Sequence, residues 1–262
     1  MLGSFESRRG VVEYLFDFAD EAEMLTHCAP IFFLPRSASL PTSIRTNGTA
    51  ALIDTGIRRI LVTCEHVWSE FLKFRLEYSE ARLATVFRYG HGSPIQINEA
   101  LLIDCDEELD LAVFDVGVSG EALGFKAFYK IHRFPVGDPR PRQPISFVGF
   151  PGVARRASGV RGQFGYASFG LTVSDVSYSR IILANTDPRI LRDNAGNEVP
   201  PIDVGGMSGA PAYTRTSSGG FNLVGFVRAG DNSNSDIRLS KASFLRKDGS
   251  LFRPCWHRCP SG

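Results

Sequence analysis

Punctuation is what most limits how this chain can fold. Short apolar runs recur along its length, and Gly, Pro or an Asp-containing turn ends each one before it could become a long helix. Cys28 to Leu34 is apolar and stops at Pro35. Gly48 to Asp54 stops at a Thr55-Gly56 turn, and Arg59 to Cys64 follows at once, so these two runs read as a hairpin. Further strands are expected near Leu83–Arg88, Ile95–Asp104 and Leu111–Val116, then at Ile145–Gly149, Gly162–Phe169, Arg180–Ala184 and Phe221–Arg228. The 26 Gly and 15 Pro of the 262 residues favour many turns over long helices. Helical spacing of apolar groups occurs in three places. Residues 10 to 25 read as a short helix or packing arm. Val67–Tyr78 would place Trp68, Phe71, Leu72 and Leu76 on one face, and Lys241–Phe252 reads as a closing helix.

Four prolines fall within His132–Pro144, a linker composition that splits the chain into comparable halves. The expected architecture is all-β. Two six-stranded-type antiparallel barrels follow a short N-terminal helical arm, and a C-terminal helix ends the chain. In residue ranges, the arm is 1–25, the first barrel 26–131, the linker 132–144, and the second barrel with its helix and tail 145–262. No internal repeat relates the halves.

Charge is nearly balanced, with 29 Lys+Arg against 28 Asp+Glu. No global field calls for nucleic acid or an anionic membrane as partner. The arginines gathered between Arg133 and Arg161 read as a solvated loop, with a docking patch as the alternative. No stretch reaches the roughly 18 apolar residues of a membrane span. The segment Met1–Arg9 lacks the apolar core of a signal peptide, so a cytoplasmic location is expected. The cysteines number 5, an odd count, and suggest free thiols in a reducing compartment rather than a disulfide framework. Cys255, His257 and Cys259 offer three ligands on one short tail with no obvious fourth, so no metal is expected there.

Three residues carry the chemical signal. Ser208 lies in Val204-Gly205-Gly206-Met207-Ser208-Gly209-Ala210-Pro211, where glycines allow backbone N–H groups to converge on one oxygen. His66 directly follows the Leu61–Cys64 strand. Asp110 precedes the apolar run Leu111–Phe114, where a carboxylate at the edge of buried surface can orient an imidazole. Each has an ordinary structural reading alone: a Gly-rich turn, a structural histidine, a strand-entry aspartate. Together they stand in the order His, Asp, Ser, with His66 and Asp110 in the first half and Ser208 in the second.

These blocks resemble the trypsin-like serine peptidase superfamily, in particular its bacterial, disulfide-poor branch that includes HtrA-type proteases, here without an appended PDZ domain. Gly48–Ile53 with Leu61–Val67 resembles the histidine block, Asp110–Val113 the aspartate block, and Gly206–Pro211 the serine block. Gly149-Phe150-Pro151-Gly152 resembles a strand end of that branch, and Leu223–Gly230 the strand that pairs with substrate. The order matches that superfamily among the unrelated folds that share the constellation.

The resemblance implies a serine endopeptidase. His66 would take the proton of Ser208, Asp110 would hold the histidine tautomer, and the N–H groups of Gly206 and Ser208 would form an oxyanion hole. Ile202, Phe226, Val227, Arg228, Ala229 and Gly230 would bind substrate. No metal or organic cofactor is implied, and the implied partner is a protein or peptide substrate, with a regulatory protein reaching the chain through the N-terminal arm.

Two positions depart from the pattern. Met207 stands where secreted members carry an Asp that pairs with a newly cut N-terminus, so activation of that kind is not expected. An apolar Ile202 argues against Lys or Arg as the preferred side chain at the cut. Arg228 fills a slot that usually holds a small residue; it would either pair with Asp110 or point into the cleft. One rival reading, an α/β-hydrolase esterase, would need Gly-x-Ser-x-Gly and the order Ser, acid, His; Ala210 breaks the first and His257 alone follows Ser208. The other is a non-catalytic or conditionally active binding or sensor module on a peptidase fold.

Overall fold

The computed structural model describes residues 18–34, 45–87, 94–117, 123–158, 161–184, 191–192, 198–199, 205–228 and 237–253. The first half carries eight strands: β1 (Cys28–Leu34), β2 (Arg45–Asp54), β3 (Arg59–Thr63), β4 (Arg82–Thr85), β5 (Ile95–Ile97), β6 (Leu102–Asp106), β7 (Leu111–Asp115) and β8 (Tyr129–Lys130). They pair in the order β5-β4-β1-β2-β3-β7-β6, with β8 joining β2 in parallel through Ile53 and Tyr129. The first of the two expected barrels is thus a barrel-like sheet of eight strands, whose end strands β5 and β6 do not pair with each other among the described residues.

The second half holds β9 (Pro144–Gly149), β10 (Arg155–Ser158), β11 (Arg161–Phe164), β12 (Ala167–Val176), β13 (Arg180–Ala184), β14 (Leu191–Arg192), β15 (Glu198–Val199), β16 (Pro211–Arg215), β17 (Phe221–Arg228) and β18 (Ile237–Lys241). Six of them close into an antiparallel barrel in the order β12-β13-β18-β17-β16-β9. Residues 132–143, the proline-rich stretch, contain no strand and run between β8 and β9.

Helix α1 (Phe18–Thr26) lies in the expected arm; the chain before residue 18 lies outside the described residues. It is clamped to both halves. Met24 is buried among residues of the two sheets, Ser168 Oγ donates to Glu21 at 2.7 Å, and Lys126 Nζ donates to the Leu25 carbonyl at 2.7 Å. Burial costs the charged form of Lys126 enough to bring its pKa down to about 8.

Helix α2 (Glu65–Glu77) follows β3 as its spacing predicts, and Val67, Trp68 and Phe71 are buried. Trp68 packs edge-on against Phe114, with ring centroids 5.2 Å apart, and Phe71 against Phe33 at 5.3 Å. Leu76 departs from expectation. It is 89% exposed, because the face that meets the sheet is the one through Val67, Phe71 and Phe74, with Phe74 packed near Phe33, and Leu76 lies off that face.

The closing helix is a second correction. Ile237–Lys241 is strand β18, inserted between β13 and β17, and only a 3-10 turn at Ala242–Phe244 follows. Beyond it the chain bends back at Gly249 (φ 85°), and the Asp248 carboxylate accepts the Ser250 N–H at 3.0 Å. Leu245 pairs with Leu251 across that bend, so the apolar residues of the expected helix are buried by a return of the chain rather than along one helical face.

One apolar cluster bridges the halves. Ala51, Ile53, Val62 and Val113 of the first sheet pack with Val148, Tyr213 and Phe226 of the barrel. That shared core fixes the ends of β3, β7 and β16 relative to one another.

Candidate active site

His66 is the second residue of α2. Its backbone N–H belongs to the helix's first turn, which has no partner within the helix. That N–H donates to Asp110 Oδ1 at 3.1 Å. The same carboxylate meets the imidazole, with Nδ1 at 2.9 Å from Oδ1 and 3.1 Å from Oδ2. Asp110 thus caps the helix and holds the ring of the residue it caps. Its own backbone is left-handed (φ 52°), a conformation Asp tolerates better than most residues. A turn whose Asp106 side chain accepts the Leu109 N–H at 2.9 Å leads into it. From the barrel, Ser240 Oγ donates to the Leu109 carbonyl at 2.6 Å.

On the other side of the ring, His66 Nε2 lies 3.0 Å from Ser208 Oγ. Ser208 is 2% exposed and sits in a turn pinned from several directions. Its carbonyl accepts the Thr49 N–H at 2.8 Å, and Thr49 Oγ1 donates to the Gly206 carbonyl at 3.0 Å. The same hydroxyl accepts the N–H of Phe150 at 3.0 Å, and the Gly152 N–H donates to Gly205 at 2.7 Å. The Gly149–Gly152 motif is thereby part of the serine turn's support. Gly209 has φ 90°, and a Cβ there would lie 2.2 Å from the Thr49 carbonyl, so only glycine fits. Gly48 is needed for space: a Cβ would sit 3.0 Å from the Ser208 carbonyl and 2.9 Å from Val67. Among the described residues, the N–H groups of Gly206 and Ser208 donate to no other protein group. Met207 is fully buried in the barrel's apolar core against Gly149.

Arg228 takes the first of its two expected positions. Its Nε donates to Asp110 Oδ2 at 3.2 Å, while His66 keeps its own bonds to the carboxylate. Burial works to raise the Asp110 pKa. The hydrogen bonds from His66, with the charges of His66 and Arg228, outweigh it and hold the carboxyl below its usual range. Cys64 completes the floor, its thiol donating to the Val227 carbonyl at 3.1 Å. Cys64, His66 and Asp110 lie close enough together to offer three metal ligands. Burial and the Asp110 charge push the Cys64 thiol well up, which keeps it protonated, and His66 Nδ1 is committed to Asp110; the trio is a poor metal site.

The structure thus brings His66, Asp110, Ser208, Gly206 and Arg228 together. Phe226 and Val227 are buried in β17 immediately before Arg228. Ile202, Ala229 and Gly230 lie outside the described residues, as do Cys255, His257 and Cys259. Three contributors were not singled out from sequence. Thr49 was visible only as a polar residue inside an apolar run, whereas Arg180 and Arg238 reach the site through strand register, which leaves no local signal.

A sheet half and a closed barrel with this site between them define the chymotrypsin-like, trypsin-type fold. Comparison with solved structures agrees. Human heparin binding protein superposes with a TM-score of 0.55 at 11% sequence identity, covering 86% of this chain and 90% of that one. AL20, a thermostable serine protease from an extremophilic microorganism, gives a TM-score of 0.47 at 14% identity over 82% of this chain and 91% of its own. At 11% identity the likeness to heparin binding protein is one of fold. No protein-family model and no curated protein matches the sequence.

Proposed function

We propose that the chain is a serine endopeptidase that cleaves through an acyl-enzyme. The observation that carries this reading is the hydrogen-bonded series from Asp110 through both nitrogens of His66 to Ser208 Oγ. Ser208 Oγ attacks the scissile carbonyl carbon as its proton passes to His66 Nε2. The peptide C–N bond then breaks and that proton leaves with the amine. Water, deprotonated by His66, hydrolyses the Ser208 ester and restores the hydroxyl. Asp110 keeps the proton on Nδ1, so that Nε2 is the free base. The unengaged N–H groups of Gly206 and Ser208 suit an oxyanion hole, in which one donor is worth about 3–4 kcal/mol in the transition state. Phe226 and Val227, expected to bind substrate, are buried and paired on both edges, to β16 and to β18, so an added peptide strand would instead lie beyond Arg228, along Ala229 and Gly230.

Met207 lies in an apolar core with no charge for a new N-terminus to pair with, which supports activity that is constitutive or set by substrate or a partner. The reading extends to a cytoplasmic, bacterial, HtrA-like enzyme with no nucleic acid or membrane partner. Among the described residues no helix is long and apolar enough to cross a membrane. A regulatory partner would engage the arm before residue 18, since α1 is committed to the body.

A second reading, a binding module, draws on Arg228, which competes with His66 for Asp110, and on a structural neighbour named for binding heparin. Mapping of new N-termini in a proteome digest separates the two. Peptidase action predicts neo-N-termini generated by wild type and lost in Ser208→Ala; identical profiles for both proteins favour the binding module.

A further inference from the structure

Beside the His66–Asp110 pair lies a cavity of about 190 Å³ lined by His66, Asp110, Arg180, Arg228 and Arg238. Three guanidinium groups face one carboxylate there. Asp110 is already engaged by Arg228 and His66. Among the described residues, Arg180 and Arg238 form no ion pair. The excess is built into the barrel. Arg238 on β18 lies directly opposite Arg228 on β17, and β13, which carries Arg180, pairs with the other edge of β18. Like charges directly opposite across an antiparallel pair destabilise a sheet, so folding alone gives no reason to gather them. The cavity is lined by Asp110 and His66 and not by Ser208. Laid end to end with the ring between them, the hydrogen bonds of 3.0, 2.9 and 3.2 Å from Ser208 to Arg228 cover a length that roughly three to four extended residues span.

We infer that Arg180, Arg238 and Arg228 form an anionic subsite that selects substrates carrying an Asp or Glu side chain within about four residues of the scissile bond. The inference rests on the peptidase reading of the same site. A carboxylate entering the cavity would take the planar, two-pronged donors that Arg180 and Arg238 leave open, and it would offset the repulsion between Arg228 and Arg238. It would also relieve the pull of Arg228 on Asp110, so an acidic substrate would strengthen the hold of Asp110 on His66 as it binds. Asn or Gln at that position fills the space without the charge and gains neither effect.

The test uses fluorogenic eight-residue peptides on an alanine scaffold that differ only in Glu or Gln at each position in turn. For wild type, kcat/KM should favour Glu by about tenfold at one position or two neighbouring ones. That ratio should fall towards one in Arg180→Gln/Arg238→Gln and also in 1 M salt, where the wild-type fold is not altered by mutation. A ratio near one at every position in wild type overturns the subsite, and so does a ratio that survives the double substitution. The same peptides are then titrated by fluorescence anisotropy against Ser208→Ala protein. A Glu preference in binding, with no hydrolysis of any peptide by wild type, keeps the basic subsite and overturns the peptidase reading. Hydrolysis with no Glu preference in either assay does the reverse.

Discussion

The two sides of the His66 ring are built in opposite ways. On the Ser208 side the environment is buried, uncharged and determined by backbone: a glycine turn, a threonine hydroxyl shared between two main-chain groups, and no ionised side chain in contact. On the Asp110 side it is charged and partly open, with a carboxylate divided between His66 and Arg228 and two further arginines beyond. The first side is tuned by steric fit, which tolerates almost no change; the second by electrostatics, which salt, pH and a charged ligand can shift. Steric placement and charge are thus set on opposite sides of one ring, each by residues from both halves of the molecule.

The largest effect should come from the charged side. Asp110→Asn keeps the shape but presents an amide to Nδ1, favouring the wrong tautomer; kcat should drop by about 10³–10⁴-fold with little change in KM. A loss under tenfold would mean that Arg228 or another group sets the tautomer. On the backbone side, Gly209→Ala forces a methyl into the Thr49 carbonyl at a positive φ. Urea unfolding should show a loss of about 3 kcal/mol or more, with activity lost alongside. Thr49→Val should cost less, about 1–3 kcal/mol, because it leaves the buried Phe150 N–H and the Gly206 carbonyl without their shared partner. If stability fell and kcat/KM did not, the serine turn would be held by other bonds.

The smallest effect is the pH response of Asp110. Its carboxyl is held below the unfolded-state value, so it contributes stability that is complete above the usual carboxylate range. That contribution is lost as pH falls through the folded-state pKa. Unfolding of wild type and Asp110→Asn, followed across acid pH, should therefore converge as pH drops. Arg228→Gln removes one of the groups holding that pKa down and should move the convergence to higher pH. A gap between wild type and Asp110→Asn that stays constant across the acid range would show that the depression is absent.

The same contrast explains what could be read from the sequence. His66, Asp110 and Ser208 announce themselves because each sits at the end of an apolar strand or inside a glycine turn, and their order along the chain limits how they can meet. Strands β1, β3, β9 and β13 are legible for the same reason: a compact apolar run with clear stops. Strand β16 is hidden by its opening proline, which is tolerated because Pro211 is the strand's first residue. Lys241–Phe252 reads as a helix, but only its 3-10 turn at Ala242–Phe244 is helical, because Leu245 pairs with Leu251 across the Gly249 bend. The arginine cluster is the least legible feature. Arg228 and Arg238 sit on consecutive strands and Arg180 lies far before them, and nothing local marks the three until pairing register sets them around one cavity.

The central claim is that Ser208 is a nucleophile activated by His66, and a fluorophosphonate probe tests it directly. Intact-mass analysis of wild type should show one covalent adduct, mapped by peptide sequencing to Ser208. The adduct should be absent in Ser208→Ala and formed much more slowly in His66→Ala. An adduct at another residue, or no adduct on wild type with and without peptide substrate present, would contradict the account.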